Sequence, residues 1–273
     1  MNESSIAFIG GGNMARSLIG GLAARGQAPG SLRVAEPVQA LRESLAAEFG
    51  VGARATAAEA ADGAGTWVLA VKPQVLREVC ASLAALARAQ RPLVVSVAAG
   101  ITTGQIDRWL GGGQSVVRTM PNTPALLGAG ATGLYANPAV DDGQRLAAQT
   151  LLQATGITAW IADEALMDAV TAVSGSGPAY VFLLAEAMQA AGEAQGLPPD
   201  TARRLVNQTL LGASRMLAES DEPAAALRQR VTSPGGTTQA ALESFEAGGF
   251  RQLVDQAVAA ATLRGRELAA GNE

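Results

Sequence analysis

The chain opens on an apolar stretch that runs into three glycines and out into a helical pattern, and this stretch constrains the fold more than any other. Residues 6–15 read IAFIGGGNMA. Ile6, Ala7, Phe8 and Ile9 have the length of a buried strand, and Asn13, Met14 and Ala15 begin an apolar helix. Gly10, Gly12 and Ala15, with Gly11 between, give the spacing G-x-G-x-x-A. Gly10 permits the tight strand-to-helix turn, Gly12 lets a pyrophosphate approach the backbone, and Ala15 lets helix lie close to strand. The helix start offers unpaired N–H groups and a partial positive charge to phosphate. A plain glycine-rich turn is the bland alternative, and the context weighs against it. A second strand, residues 32–36, ends in an acid, Glu36, 21 residues after Ala15. A carboxylate near that place bonds a ribose 2′-hydroxyl, which favours NADH and repels a 2′-phosphate. Arg33 and Arg42 are close enough in sequence to compensate, so the residues leave NADPH and NADH both open.

Strand and helix patterns then alternate. Residues 66–71, 92–99, 115–120, 131–136 and 157–161 read as strands. A short extended piece covers 51–55, and helices fill 38–49, 74–89, 102–110 and 141–154. This alternation predicts an α/β domain over residues 1–162, with a doubly wound, Rossmann-type sheet of parallel strands. Lys72 ends the strand at 66–71, where open α/β sheets bind ligands, and Pro73 suits the first turn of the next helix. A solvated lysine before a helix is the competing reading. Cys80 lies inside that helix as a packing residue. Pro121 and Pro124 impose a rigid turn just beyond a strand.

After residue 163 the strand signals stop. Apolar residues recur at helical spacing in sets around Val170, Leu184, Leu210 and Val258, predicting an all-α domain over residues 163–273. Long apolar helices with no sheet to cover need a partner, and a second copy of the chain is the simplest one. Two punctuations interrupt the helices. SGSGPAY, residues 174–180, breaks one helix at Gly175 and Gly177 and starts the next at Pro178. VTSPGGTT, residues 231–238, precedes a helix at 239–245. There Gly235 and Gly236 free the backbone, Ser233, Thr237 and Thr238 bring hydroxyls, and the helix start aims amides outward, as at a carboxylate or phosphate site. A capped helix start explains the same residues more modestly.

Composition narrows the chemistry. The net charge is −4 with no basic block, which argues against nucleic acid. Histidine is absent, removing histidine acids, triads and metal sites, and no metal is expected. A single cysteine excludes an internal disulfide and fits a reducing cytoplasm. No apolar run reaches the ~18 residues of a membrane span, and no signal peptide is read at the N-terminus.

With these residues in view, the chain resembles the pyrroline-5-carboxylate reductase family. The matching stretches are FIGGGNMA, VKPQ, VAAG, MPNTP, DAVTAVSGSGPAY and VTSPGGTT, in that order from Phe8 to Thr238. The resemblance implies reduction of 1-pyrroline-5-carboxylate to L-proline with NADPH or NADH, the last step of proline biosynthesis. It implies a nucleotide domain followed by a helical domain that interlocks with a second subunit, with larger rings of dimers in some members. Carried over by motif, Gly10, Gly11, Gly12, Asn13, Met14 and Ala15 hold the pyrophosphate. Ala70, Val71, Lys72 and Pro73, with Ala98, Ala99 and Gly100, line the nicotinamide-ribose side. Ser233, Pro234, Gly235, Gly236, Thr237 and Thr238 bind the substrate carboxylate, with Thr238 reaching the ring nitrogen as the candidate catalytic residue. A related layout, that of the β-hydroxyacid dehydrogenases, generally uses a lysine in the helical domain, and none stands after Asp163 here. A dinucleotide sensor without catalysis would need no SPGGTT loop.

Overall fold

The computed structural model describes residues 5–270 and divides into two compact units. The first holds residues 5–176 with 261–270 and is built on one eight-stranded sheet of order β3-β2-β1-β4-β5-β6-β7-β8. Its strands are β1 (Ile6–Ile9), β2 (Leu32–Ala35), β3 (Gly52–Arg54), β4 (Thr66–Leu69), β5 (Leu93–Ser96), β6 (Ser115–Met120), β7 (Gly130–Ala136) and β8 (Gly156–Trp160). The central strands β2, β1, β4, β5 and β6 are buried almost throughout, which is why they read as continuous apolar runs, whereas the edge strands β3 and β8 are partly exposed. The pleat sorts them: Ala7, Ile9, Trp67, Leu69 and Val94 face one core, and Phe8, Val68, Leu93 and Val95 face the other.

Helices close both faces. α1 (Asn13–Ala24), α2 (Gln39–Phe49) and α6 (Asp142–Gln153) cover the Phe8 side through Leu18, Ile19, Leu22, Leu45, Leu151 and Leu152. α3 (Ala57–Ala61), α4 (Pro73–Gln90) and α5 (Thr103–Trp109) cover the other through Ala60, Leu76, Cys80, Leu83 and Ile106. The short α3 escapes apolar periodicity. Its start is nevertheless written in the sequence as a capping box, in which Thr56 accepts from the Glu59 amide and Glu59 accepts from the Thr56 amide.

The sheet departs from the expected all-parallel arrangement at one place. β7 runs antiparallel to β6, with Val117 opposite Ala136, and β8 returns parallel to β7. The reason is chain length. Only residues 121–129, wound into a 3-10 turn at Thr123–Leu127, join β6 to β7. A parallel return needs a crossover of about a dozen residues or more. α6 supplies one between β7 and β8. Beyond β8 lies α7 (Met167–Val170), which passes into a π-turn at Thr171–Gly175. The helix break expected at Gly175 and Gly177 narrows to Ser176 alone.

The second unit, Gly177–Ala260, contains α8 (Gly177–Ala194), α9 (Pro199–Glu219), α10 (Ala224–Arg230), α11 (Thr237–Ala247) and the first half of α12 (Phe250–Ala270). α8 packs along α9, and Phe245 meets Phe250 edge to face at 5.4 Å. The unit has almost no core of its own. Among its described residues only Ala202, Val206 and Leu227 are buried apolar side chains. Val181, Phe182, Leu183, Leu211, Met216 and Leu253 stand between 47% and 66% exposed. An open, mostly apolar cavity of about 690 Å³ is lined by Leu184, Met188, Leu242, Phe245 and Phe250 together with Arg228, Glu246 and Arg251. Among the described residues no helix is long and apolar enough to cross a membrane.

Candidate active site

The residues expected to hold a nucleotide follow the carboxyl ends of four neighbouring parallel strands, β2, β1, β4 and β5. Gly10 leaves β1 with φ +108°, donating its N–H to Ala35 O at 3.0 Å. A Cβ there would stand 2.7 Å from Ala70 O, so both backbone angle and space demand glycine. Gly12 differs. Its φ of −71° suits any residue, and a Cβ would meet nothing within 4 Å. The space in front of Gly12 is open, as a bound pyrophosphate requires. Gly12 is also the N-cap of α1, with no side chain capping the helix start and no acid in its first turn. These features fit a dinucleotide phosphate. Ala15 is buried among Phe8, Leu18 and Ile19, the close helix–strand packing that its small size was read to allow.

Gly11 has another duty. A Cβ there would lie 2.5 Å from Leu45 Cδ1 and 3.1 Å from Glu36 Oε2. Its N–H donates to Glu36 Oε2 at 3.3 Å, and the Val38 N–H donates to Glu36 Oε1 at 3.0 Å. The acid after β2 is therefore drawn back onto the glycine turn. Ala70 and Val71 lie just past β4, where Ala70 N–H donates to Ile9 O at 2.8 Å. Lys72 is exposed at the N-cap of α4, and Pro73 is that helix's first residue. Ala98 is buried, Ala99 exposed and Gly100 half-buried in the left-handed region at φ +72°. Cys80, on α4, is buried in the core beneath that helix; burial pushes its thiol up to about 12, which leaves it inert.

The sequence reading missed a buried polar cluster beside this edge. Arg118 on β6 is 5% exposed and lies 3.4 Å from Glu164 Oε1 and 3.6 Å from Asp168 Oδ1. Glu164 also accepts from the Thr103 amide at 2.7 Å and from the Thr103 hydroxyl at 2.8 Å. Thr103 begins α5, directly after the loop at residues 98–102. Nearby, Asn122 Nδ2 donates to Ser174 O at 3.0 Å while its Oδ1 accepts from Ala131 N at 2.9 Å, and a Cβ on Gly175 would sit 2.6 Å from Met120 Cε. The MPNTP and SGSG motifs are thus joined by side-chain contacts. An arginine in a run of strand residues was the available signal for this cluster.

In the helical unit, the SPGGTT segment forms a tight turn into α11. Gly236 N–H donates to Ser233 O at 3.0 Å, Gly235 takes φ +71°, and its N–H donates to Gln239 Oε1 at 2.7 Å. Gly236 is the N-cap, with no capping side chain and no acid in the first turn. Ser233, Pro234 and Thr237 are exposed and Thr238 is half-buried. An uncapped helix start flanked by hydroxyls suits a small anion such as a carboxylate.

A doubly wound sheet with an open glycine turn, an acid after the second strand and a helical second unit defines the class: a Rossmann-type dinucleotide-binding protein of the two-unit oxidoreductase kind. The family described as pyrroline-5-carboxylate reductase dimerisation matches residues 164–268, and NADP oxidoreductase, coenzyme F420-dependent, matches residues 5–100. The chain is 52% identical to the pyrroline-5-carboxylate reductase of Pseudomonas aeruginosa over 98% of each chain. It superposes on the solved structure of a pyrroline-5-carboxylate reductase from Coxiella burnetii with a TM-score of 0.95 at 43% identity, over 98% of this chain and 99% of that one. A pyrroline carboxylate reductase from Plasmodium falciparum, solved with NADP bound, aligns with a TM-score of 0.85 at 29% identity, again over 98% and 99%. The chain belongs to the pyrroline-5-carboxylate reductase family.

Proposed function

We infer that the chain catalyses the NAD(P)H-dependent reduction of 1-pyrroline-5-carboxylate to L-proline, the last step of proline biosynthesis. What carries this reading is the 52% identity to a reductase of this name over 98% of the chain. The roles follow from the turns. Gly10, Gly12 and the first amides of α1 take the pyrophosphate, with Asn13, Met14 and Ala15 as the helix that presents them. Residues 70–73 and 98–100 border the nicotinamide ribose, and residues 233–238 take the substrate carboxylate.

When bound, the reduced nicotinamide supplies a hydride to the imine carbon. The chain's own contribution is orientation. The amides at the start of α11 fix the carboxylate, and the Thr238 hydroxyl hydrogen-bonds the ring nitrogen. A threonine hydroxyl is too weak an acid to be the proton source, and the chain contains no histidine. The imine therefore reacts in its protonated form or draws its proton from water, and the rate comes from placement. Oxidation of NADH or NADPH, followed optically with and without 1-pyrroline-5-carboxylate, tests this. Substrate-dependent oxidation yielding proline is expected; its absence with correctly folded protein would overturn the reading.

The same proposal includes a homodimer formed through residues 163–273, a boundary supported by the dimerisation match that begins at residue 164. Its support is the bare apolar surface of α8 and α12. Closure of dimers into a larger ring belongs to the proposal, as does a cytoplasmic place, argued from a lone cysteine held as a buried thiol.

A further inference from the structure

The carboxylate of Glu36 is fixed rather than free. Glu36 is 9% exposed. Each of its oxygens accepts one backbone N–H, from Gly11 at 3.3 Å and from Val38 at 3.0 Å. A carboxylate has about four acceptor positions, so each oxygen keeps one for a further donor. Ribose 2′- and 3′-hydroxyls are donors of that kind. A 2′-phosphate is not: near neutral pH it carries between one and two negative charges and has at most one proton to give.

A chain that binds the phosphorylated nucleotide well needs a cation to offset this acid. The arginines near the end of β2 bond main-chain carbonyls and not the Glu36 carboxylate. Arg33 donates to Asp62 O. Arg42 donates to Glu36 O at 2.8 Å and Pro37 O at 2.7 Å, tied to the main chain of the β2–α2 turn. Arg54, at the end of β3, folds back along its own strand and donates to Ala53 O at 3.2 Å. Lys72 follows β4, across β1 from Glu36. The Val38 amide, which heads the next helix and could serve a phosphate, is already taken by Glu36 Oε1.

We propose that Glu36 is the specificity-determining residue that makes this chain prefer NADH to NADPH. The inference rests on the dinucleotide reading of the glycine turn. Calorimetric dissociation constants for NADH and NADPH test it without reference to turnover. The full-length protein should bind NADH roughly tenfold tighter or more, since like charges set side by side are costly. Glu36→Gln keeps the volume and removes the charge, and Glu36→Ser removes the side chain; each should shrink that margin chiefly by improving NADPH binding. Should one variant fail to fold, the other and the unaltered protein still decide. Equal or tighter NADPH binding by the unaltered protein would overturn the proposal, and so would a margin that survives both substitutions. Failure to bind either nucleotide would overturn it together with the glycine-turn assignment. Tighter NADH binding without turnover of 1-pyrroline-5-carboxylate would remove the reductase reading and leave this inference standing.

Discussion

At the scale of single residues, Gly10 and Gly12 separate structural from functional need. Gly10→Ala forces a side chain into φ +108° and against Ala70 O at 2.7 Å. A cost of about 1–3 kcal/mol is expected, read as a lowered midpoint of thermal unfolding. Gly12→Leu meets open space and should leave the midpoint nearly unchanged. It should weaken cofactor binding by roughly tenfold or more, because the side chain would occupy the space of the pyrophosphate. Undiminished binding by calorimetry would count against the turn's assignment. Thr238→Ala should lower kcat/KM for the pyrroline substrate by about tenfold, the usual worth of one hydrogen bond to a charged group, while cofactor affinity holds. Unaltered kinetics would remove Thr238 from the mechanism. The glycine spacing and the hydroxyls at Thr237 and Thr238 are legible in the sequence because they are local chemistry, while the part given to Thr238 rests on the family resemblance. The Gly11–Glu36 contact was not, since it joins residues 25 apart.

Among elements, the Arg118 cluster links β6, α7 and the start of α5. Thr103 and Glu164 stand 61 residues apart, and nothing in either neighbourhood announces the other. Arg118→Ala would leave Glu164 and Asp168 partly buried without their cation. A loss of about 3–5 kcal/mol in urea unfolding is expected, the usual effect of breaking a buried pair from one side. Combining it with Glu164→Gln and Asp168→Asn should recover part of that loss. No recovery would mean that arginine packing, rather than charge, matters here. The sense of β7 belongs to the same scale. Alternation along the chain suggested a parallel sheet throughout, and the short connection at residues 121–129 reversed β7 and, with it, the β8 strand that pairs parallel to β7.

For the whole molecule, the helical unit is the informative part. Leu183 on α8 is 66% exposed in the single chain. An exposed residue replaced by a charge changes stability by within about 0.5 kcal/mol. Leu183→Asp should do far more if a second copy covers α8. Sedimentation velocity should then show monomer in place of dimer, and the unfolding midpoint should fall and become more dependent on concentration. A variant that sediments like the unaltered protein would place the dimer interface elsewhere.

The amino-acid order by itself determined the class of fold, the order of the α/β and helical parts, the glycine turn at residues 10–15 and the anion-suited turn at 233–238. All of these arise from neighbours along the chain: side-chain period, backbone freedom at glycine, and helix starts. The tertiary structure decided the direction of β7, the buried clasp around Arg118 and the engagement of Arg33, Arg42 and Arg54 with main-chain carbonyls rather than with the Glu36 carboxylate. Those features depend on which distant residues packing brings together and on which hydrogen-bond partner each charged group finds there. No local pattern carries that information.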